Sequence, residues 1–136
     1  MSAMKAELAR SMAKLSLKDY PPPYFIGYLI KDTRNISVTA KYGAIFSFKD
    51  VKSRPSYIEV RVGNYEVDNS RGLKRDYDFD RPPSAWLLDY EFPVDNDSAV
   101  IKNRFWVLTD LLYKRAVADY LKKKGKLALF CDCFLH

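Results

Sequence analysis

Near the start of the chain, apolar residues recur at steps of three and four: Met4, Leu8, Met12 and Leu15, with Lys5, Glu7, Arg10 and Lys14 on the other faces. This spacing predicts a short amphipathic helix. The helix must end before Pro21-Pro22-Pro23, because each ring removes an amide donor and Tyr20 is pushed out of the helical region. The triple proline reads as a stiff spacer into the next strand, with a polyproline ligand as the alternative.

The period then changes from helical to alternating. Tyr24 to Thr33 is aromatic and β-branched and apolar on both faces, which predicts a strand covered on both sides. From Ile36 to Phe48, the residues Ile36, Val38, Ala40, Tyr42, Ala44, Phe46 and Phe48 share one face of a second strand. Ser37, Thr39, Lys41, Ser47 and Lys49 fall on the other face, where Ile45 is the one large apolar residue; Gly43 inside the run signals a bulge or a sharp bend. Asp32 to Asn35 has the polar composition of a hairpin turn. A third strand spans about Tyr57 to Val67, with Ile58, Val60 and Val62 on one face and a bulge or tight turn at Gly63-Asn64. Three strands with short links predict an antiparallel meander whose apolar face is covered by the flanking helices.

Residues 68–96 are less regular. Asp68-Asn69-Ser70-Arg71-Gly72 is turn chemistry, and the following stretch mixes acids, aromatics and prolines in what reads as a long surface loop with a short strand around Trp86 to Leu88. Tyr77, Phe79 and Trp86 either anchor this loop to the body or form a partner-binding patch. A long helix follows. Asp95, Asn96, Asp97 and Ser98 offer N-caps, and Ile101, Phe105, Leu108, Leu112 and Ala116 trace an apolar stripe that Trp106, Tyr113, Val117, Tyr120 and Leu121 widen. A stripe this wide predicts a helix largely covered by other structure. Lys122, Lys123 and Lys124 suit the negative end of its dipole, with Gly125 as the residue that stops it. The fold class expected is α+β: an N-terminal helix, a three-stranded antiparallel meander, a long loop and a long C-terminal helix packed on the sheet.

Composition narrows the class. The chain has 136 residues, 48% of them apolar and 29% charged, enough for one domain with a real core and too mixed for wholesale disorder. No run approaches the ~20 apolar residues of a membrane span, and the scattered charges of MSAMKAELARSMAKL do not make a secretory signal. A cytoplasmic protein without a membrane partner is expected. The net charge of +6 is uneven: residues 97–136 carry eight Lys or Arg against four acids, and residues 21–96 balance at eleven each. A basic stretch such as Lys114–Lys126 can bind nucleic acid. The same lysines also fit a solvated helix end, so nucleic acid is not the expected partner.

Catalytic patterns are sparse. A zinc hydrolase needs several ligands and a carboxylate base, and a Ser or Cys nucleophile needs a base; the sole histidine is His136, the last residue. The five glycines form no phosphate-binding loop. Cys131-Asp132-Cys133 with His136 has soft-metal ligand chemistry but not the spacing of a zinc finger, and reads as free cysteines in a loose tail. Asp76, Asp78 and Asp80 have calcium-ligand chemistry but lack the glycine turn, and read as a solvated acidic loop. No catalytic or metal-binding residue is assigned, and no binding residue is singled out.

PPYFIGYLIKD, KYGAIFSF, SRPSYIEVRVGNYEVDNS and FWVLTDLLYKRAVADYLKKK, in that order, resemble the N-terminal part of TldD/PmbA-type proteins, predicted zinc metalloproteases also labelled modulators of DNA gyrase. The resemblance spans about Met4 to Lys124. It implies a bacterial or archaeal origin and a two-part protein whose C-terminal portion carries a HExxxH zinc helix. It further implies homo- or hetero-dimers with family members and cleavage of unfolded peptides or processing of peptide precursors. This sequence has no HExxxH, so zinc belongs to the full-length family and no cofactor is expected in this chain. What matches is scaffold: the Ile36–Phe48 and Tyr57–Val67 strands and the Phe105–Tyr120 helix. Residues 1–124 are thus expected to form one α+β domain. Residues 125–136, ending LALFCDCFLH, depart from the family, as a frameshift, a premature stop or a natural short form would; the start, too, would fit an internal one. The expected role is a non-catalytic domain that walls the substrate cleft and supports the dimer. The alternative is a free-standing protein-binding module serving a separate catalytic subunit, and behind it a nucleic-acid-binding domain.

Overall fold

The chain was examined as a computed structural model, which describes residues 2–70 and 88–133. Its elements run α1 (Ser2–Lys14), β1 (Pro23–Ile30), β2 (Thr33–Lys41), β3 (Ala44–Ser53), β4 (Pro55–Val62), β5 (Leu88–Glu91) and α2 (Ser98–Cys133). The architecture is α+β, with an N-terminal helix, a three-stranded antiparallel sheet, a separate hairpin and a long C-terminal helix.

The sheet has the order β1-β4-β5, and β2 pairs with β3 alone. The expected meander is therefore rearranged. The run from Ile36 to Phe48 is not one strand but folds in two at Tyr42-Gly43, where both residues have positive φ (51° and 79°). A two-residue loop with positive φ at both positions matches the right-handed twist of its flanking strands, and Lys41 pairs with Ala44 across it. Strand β1 then reaches past the hairpin to pair with β4.

The core lies between one face of this sheet and α2. Ser56, Ile58, Val60 and Val62 are buried at every second position of β4, as the period-two pattern predicts. Ile26 opposes Val60 and Tyr28 opposes Ile58. From α2, Phe105, Leu108, Leu112, Tyr113, Ala116 and Val117 close the core. Phe105 is its centre, with ring centroids of Tyr28 at 4.5 Å and Phe92 at 4.6 Å. The outer face of β1 is not covered as expected: Phe25 and Leu29 are exposed. Cations supply partial lids, with Arg61 over the Phe25 ring and Lys31 over Tyr57.

Helix α1 packs on α2 and β1 with a rotated face. Its buried line is Ala3, Glu7 and Ser11, with Met4, Leu8 and Leu15 partly buried beside it and Met12 exposed. Small side chains let the helix approach closely. Glu7 is neutralised by the Arg10 guanidinium, which also lies over Trp106. The Tyr28 hydroxyl donates to Thr109 Oγ1 at 2.6 Å, since Thr109 spends its own proton on the Phe105 carbonyl. The spacer between α1 and the prolines is pinned at two points by one phenol. Tyr113 donates to the Pro21 carbonyl (2.9 Å) and accepts from the Leu17 amide (3.2 Å).

Helix α2 starts where its cap sits. Asp97 accepts from the amides of Ala99 (2.8 Å) and Val100 (3.4 Å), which selects it among the four candidate caps. The helix does not stop at Gly125. It continues to Cys133, so the three lysines lie inside it and not at its dipole end. Gly costs about 1 kcal/mol in a helix interior, and the strong helix formers around it (Lys124, Lys126, Leu127, Ala128) outweigh that. Nor is α2 covered all round: Val100, Trp106, Val107, Leu111 and Leu121 face outward.

Candidate protein-binding surface

Strands β1 and β4 run into β2 and β3 as one long ladder. Ile30 opposes Ser56, the Lys31 amide donates to the Pro55 carbonyl (3.0 Å), and Thr33 opposes Ser53 without loss of register. The near half of this ladder is covered by helices and the far half projects as an arm. Even-numbered positions that face the core in β1 continue as the apolar positions of β2. The sequence pattern thus repeats the core pattern where no helix lies. Every residue of β2 is exposed, and in β3 only Ser47 and Ser53 are partly covered.

The register decides the composition of the arm's apolar face. Val38 opposes Phe48, and Ala40 opposes Ile45, with Phe46 the extra residue of a bulge. The bulge shifts the parity of β3, so Ile45 joins the face of Ile36, Val38 and Phe48, while Ala44 moves to the face of Lys41. Tyr42 belongs to neither, standing fully open in the turn. Exposures are 57% for Ile36, 56% for Val38, 71% for Ile45, 74% for Phe46 and 62% for Phe48. At the base of this face Arg34 grips Asp50 through two hydrogen bonds (2.9 and 2.6 Å), an exposed pair that raises the arginine pKa and lowers that of the aspartate. Arg34 opposes Lys52, which adds a second cation there.

Arg54, at the corner where the arm meets the sheet, was not singled out in the sequence. Its guanidinium is buried and donates to the carbonyls of Pro93 (2.9 Å) and Asp95 (3.3 Å) and to Asn96 Oδ1 (2.8 Å), and it pairs with Asp32. It ties both connections of the arm to the start of α2. No composition signal marks it among the fifteen Lys or Arg residues of residues 1–96, since only the fold brings its partners together.

The β4–loop junction is a polar lock. The Gly63-Asn64 parity switch is a tight turn: Asn64 Oδ1 accepts from the amides of Glu66 and Val67, and Asn64 N donates to Val67 O. Asn69 bonds the Val62 amide and the Val60 carbonyl. Asp68 accepts from Tyr24 (2.6 Å) and from the Ser70 amide (2.8 Å) and hydroxyl. Lys123 donates to the Ser70 carbonyl (2.8 Å) with its ammonium 4.0 Å from Asp68. Burial opposes the Asp68 carboxylate, but the hydrogen bonds from Ser70 and Tyr24 and the charge of Lys123 hold its pKa below the ordinary value. Burial, then the neighbouring Asp68, raises that of Tyr24. Lys123 is thus engaged within the domain, which weighs against reading Lys122–Lys124 as a nucleic-acid surface.

Tyr77, Phe79, Trp86, Asp76, Asp78, Asp80 and His136 lie outside the described residues. Cys131 and Cys133 are in the last turn of α2, not in a loose tail. Among the described residues no three His, Cys, Asp or Glu side chains converge as a metal site, and no helix is long and apolar enough to cross a membrane. An open depression of about 480 Å³ lies between the β5–α2 loop and α2, lined by Phe92, Pro93, Val100, Arg104 and Val107. Fold and surface define an α+β domain that carries a projecting amphipathic β-arm. The chain matches no family model, no curated protein and no solved structure.

Proposed function

We propose that the chain is a non-catalytic protein-interaction domain, the N-terminal domain of a TldD/PmbA-type metalloprotease that works on unfolded peptides in the cytoplasm. Its part is to wall the substrate cleft and support a dimer, while zinc and the hydrolytic residues belong to another portion or subunit. One observation carries this reading: a two-stranded arm with an apolar face stands clear of both helices. Among the described residues no strand pairs with the outer edge of β2 or of β3. Unpaired strand edges recruit extended chains by main-chain hydrogen bonding, with side-chain pockets at alternate positions adding selectivity. An unfolded peptide has the backbone such an edge accepts.

The test uses fluorescein-labelled, reduced and carboxymethylated α-lactalbumin, a permanently unfolded protein. Its anisotropy should rise on addition of the chain, the native form should not compete, and gel analysis should find the label intact with or without zinc. Hydrolysis that a chelator stops overturns the non-catalytic reading. Absence of binding overturns peptide handling.

The second reading, a free-standing module for a separate catalytic subunit, is favoured by the same arm. It predicts stable association with a HExxxH-bearing protein from the same source, seen as co-elution.

A further inference from the structure

A lone two-stranded hairpin is marginally stable in water and becomes secure when a third strand or a second layer covers its apolar face. The arm has nine and ten residues in its two strands, and its own body offers that second layer only to the near half of the ladder. We infer that the face formed by Ile36, Val38, Ile45 and Phe48, with Phe46 beside it, is covered by the same face of a second copy of this chain. The two arms stack as a small β-sandwich about a two-fold axis. This rests on the reading of the chain as an interaction domain and names the partner of the arm's face, leaving its edges to peptide.

Area, charge and shape support a second copy. With roughly 150–200 Å² for each such side chain when fully open, the exposures of the five residues leave roughly 500–650 Å² of apolar surface. That is at the upper end of what a monomer carries in one patch. Two such faces bury about 1,000–1,300 Å² together, which reaches the lower limit of a stable specific interface. Lys41 and Lys49 pair with Ala44 and Ser37, off the apolar face, so stacking does not bring them together. The face is cationic at its base, with Arg34 and Lys52, and aromatic toward its tip, with Tyr42 and Phe46. In an antiparallel two-fold stack the base of one arm lies over the tip of the other. Cations then meet aromatic rings, a contact this chain already makes at Lys41 over Phe46. Sheets stack this way at ~10 Å, a separation that alternating side chains of this size fill.

Sedimentation velocity of the purified chain decides the matter. A dimer at micromolar concentration is expected. Val38→Lys with Phe48→Lys places charges at the centre of the stack and should weaken dimerisation at least about 100-fold. Ser37→Lys with Ser47→Lys, on the opposite face, should leave it unchanged. Should the first pair fail to fold, amide exchange of β2 and β3 in the unaltered chain serves instead, with protection rising as protein concentration rises. A monomer at 100 µM, or a dimer indifferent to the Val38 and Phe48 changes, overturns the inference. Binding of unfolded α-lactalbumin by a chain that stays monomeric sinks the two-fold stack but not the proposed function. A dimer that ignores unfolded protein does the reverse.

Discussion

Arg54 Nη2 donates to Asn96 Oδ1 at 2.8 Å, joining the corner of the arm to the residue that precedes the N-cap of α2. The same guanidinium reaches the carbonyls of Pro93 and Asp95, so one side chain sets how the arm leaves the body. Its ion pair with Asp32, a largely exposed carboxylate, adds little, and the fixed hydrogen bonds carry the effect.

Arg54→Ala leaves these carbonyls and the Asn96 amide oxygen without their donor. Urea denaturation should register a loss of about 2–3 kcal/mol. Arg54→Lys should recover only part of it, because a single ammonium cannot reproduce the planar fork.

Two glycines should respond with opposite signs. Gly63 has φ of 111°, and a Cβ there would run into the Val67 carbonyl and lie 2.7 Å from the Tyr120 ring. Gly63→Ala should cost about 2 kcal/mol or more. Gly125 has open space around its Cα and sits within α2. Gly125→Ala should stabilise by about 0.5–1 kcal/mol, read from the same denaturation curves.

The Asp68 lock should make stability depend on acid. Its folded pKa is depressed, so its contribution is present above the unfolded value of about 3.9 and is lost as pH falls through the lower folded value. The stability gap between the unaltered chain and Asp68→Asn should be full at pH 7 and close below about pH 3.5. At the alkaline end, Tyr24 and Tyr28 have raised pKa values, mainly through burial. Their stabilisation holds below about pH 10 and fades as pH rises through their folded values, so ultraviolet titration should show phenols ionising later than free tyrosine.

Tyr42 occupies the first position of a turn that asks for positive φ, a conformation that suits Asn far better than an aromatic residue. Tyr42→Asn should stabilise the arm by about 0.5–1 kcal/mol. Amide exchange within β2 and β3 should slow while that of β4 stays the same, because the arm opens independently of the core.

Periodicity alone determined much of this protein. The alternation at Ile58, Val60 and Val62, the helical stripe from Ile101 to Ala116 and the acidic cap before it are local patterns, and each became the expected element with the expected face buried. What failed depended on partners distant in sequence. Ile36 to Phe48 alternates like one strand because a tight turn at Tyr42-Gly43 and a bulge at Phe46 scarcely disturb a period of two. The apolar face of the arm looks like core face because it follows the same rule, yet coverage depends on how far α1 and α2 reach. The lysines near Gly125 looked like a helix end because a glycine's cost is local, whereas the helix formers beyond it act over several turns. Arg54 had no local sign at all. Its acceptors come from residues 32, 93, 95 and 96, and only the folded chain brings them within hydrogen-bonding distance of one guanidinium.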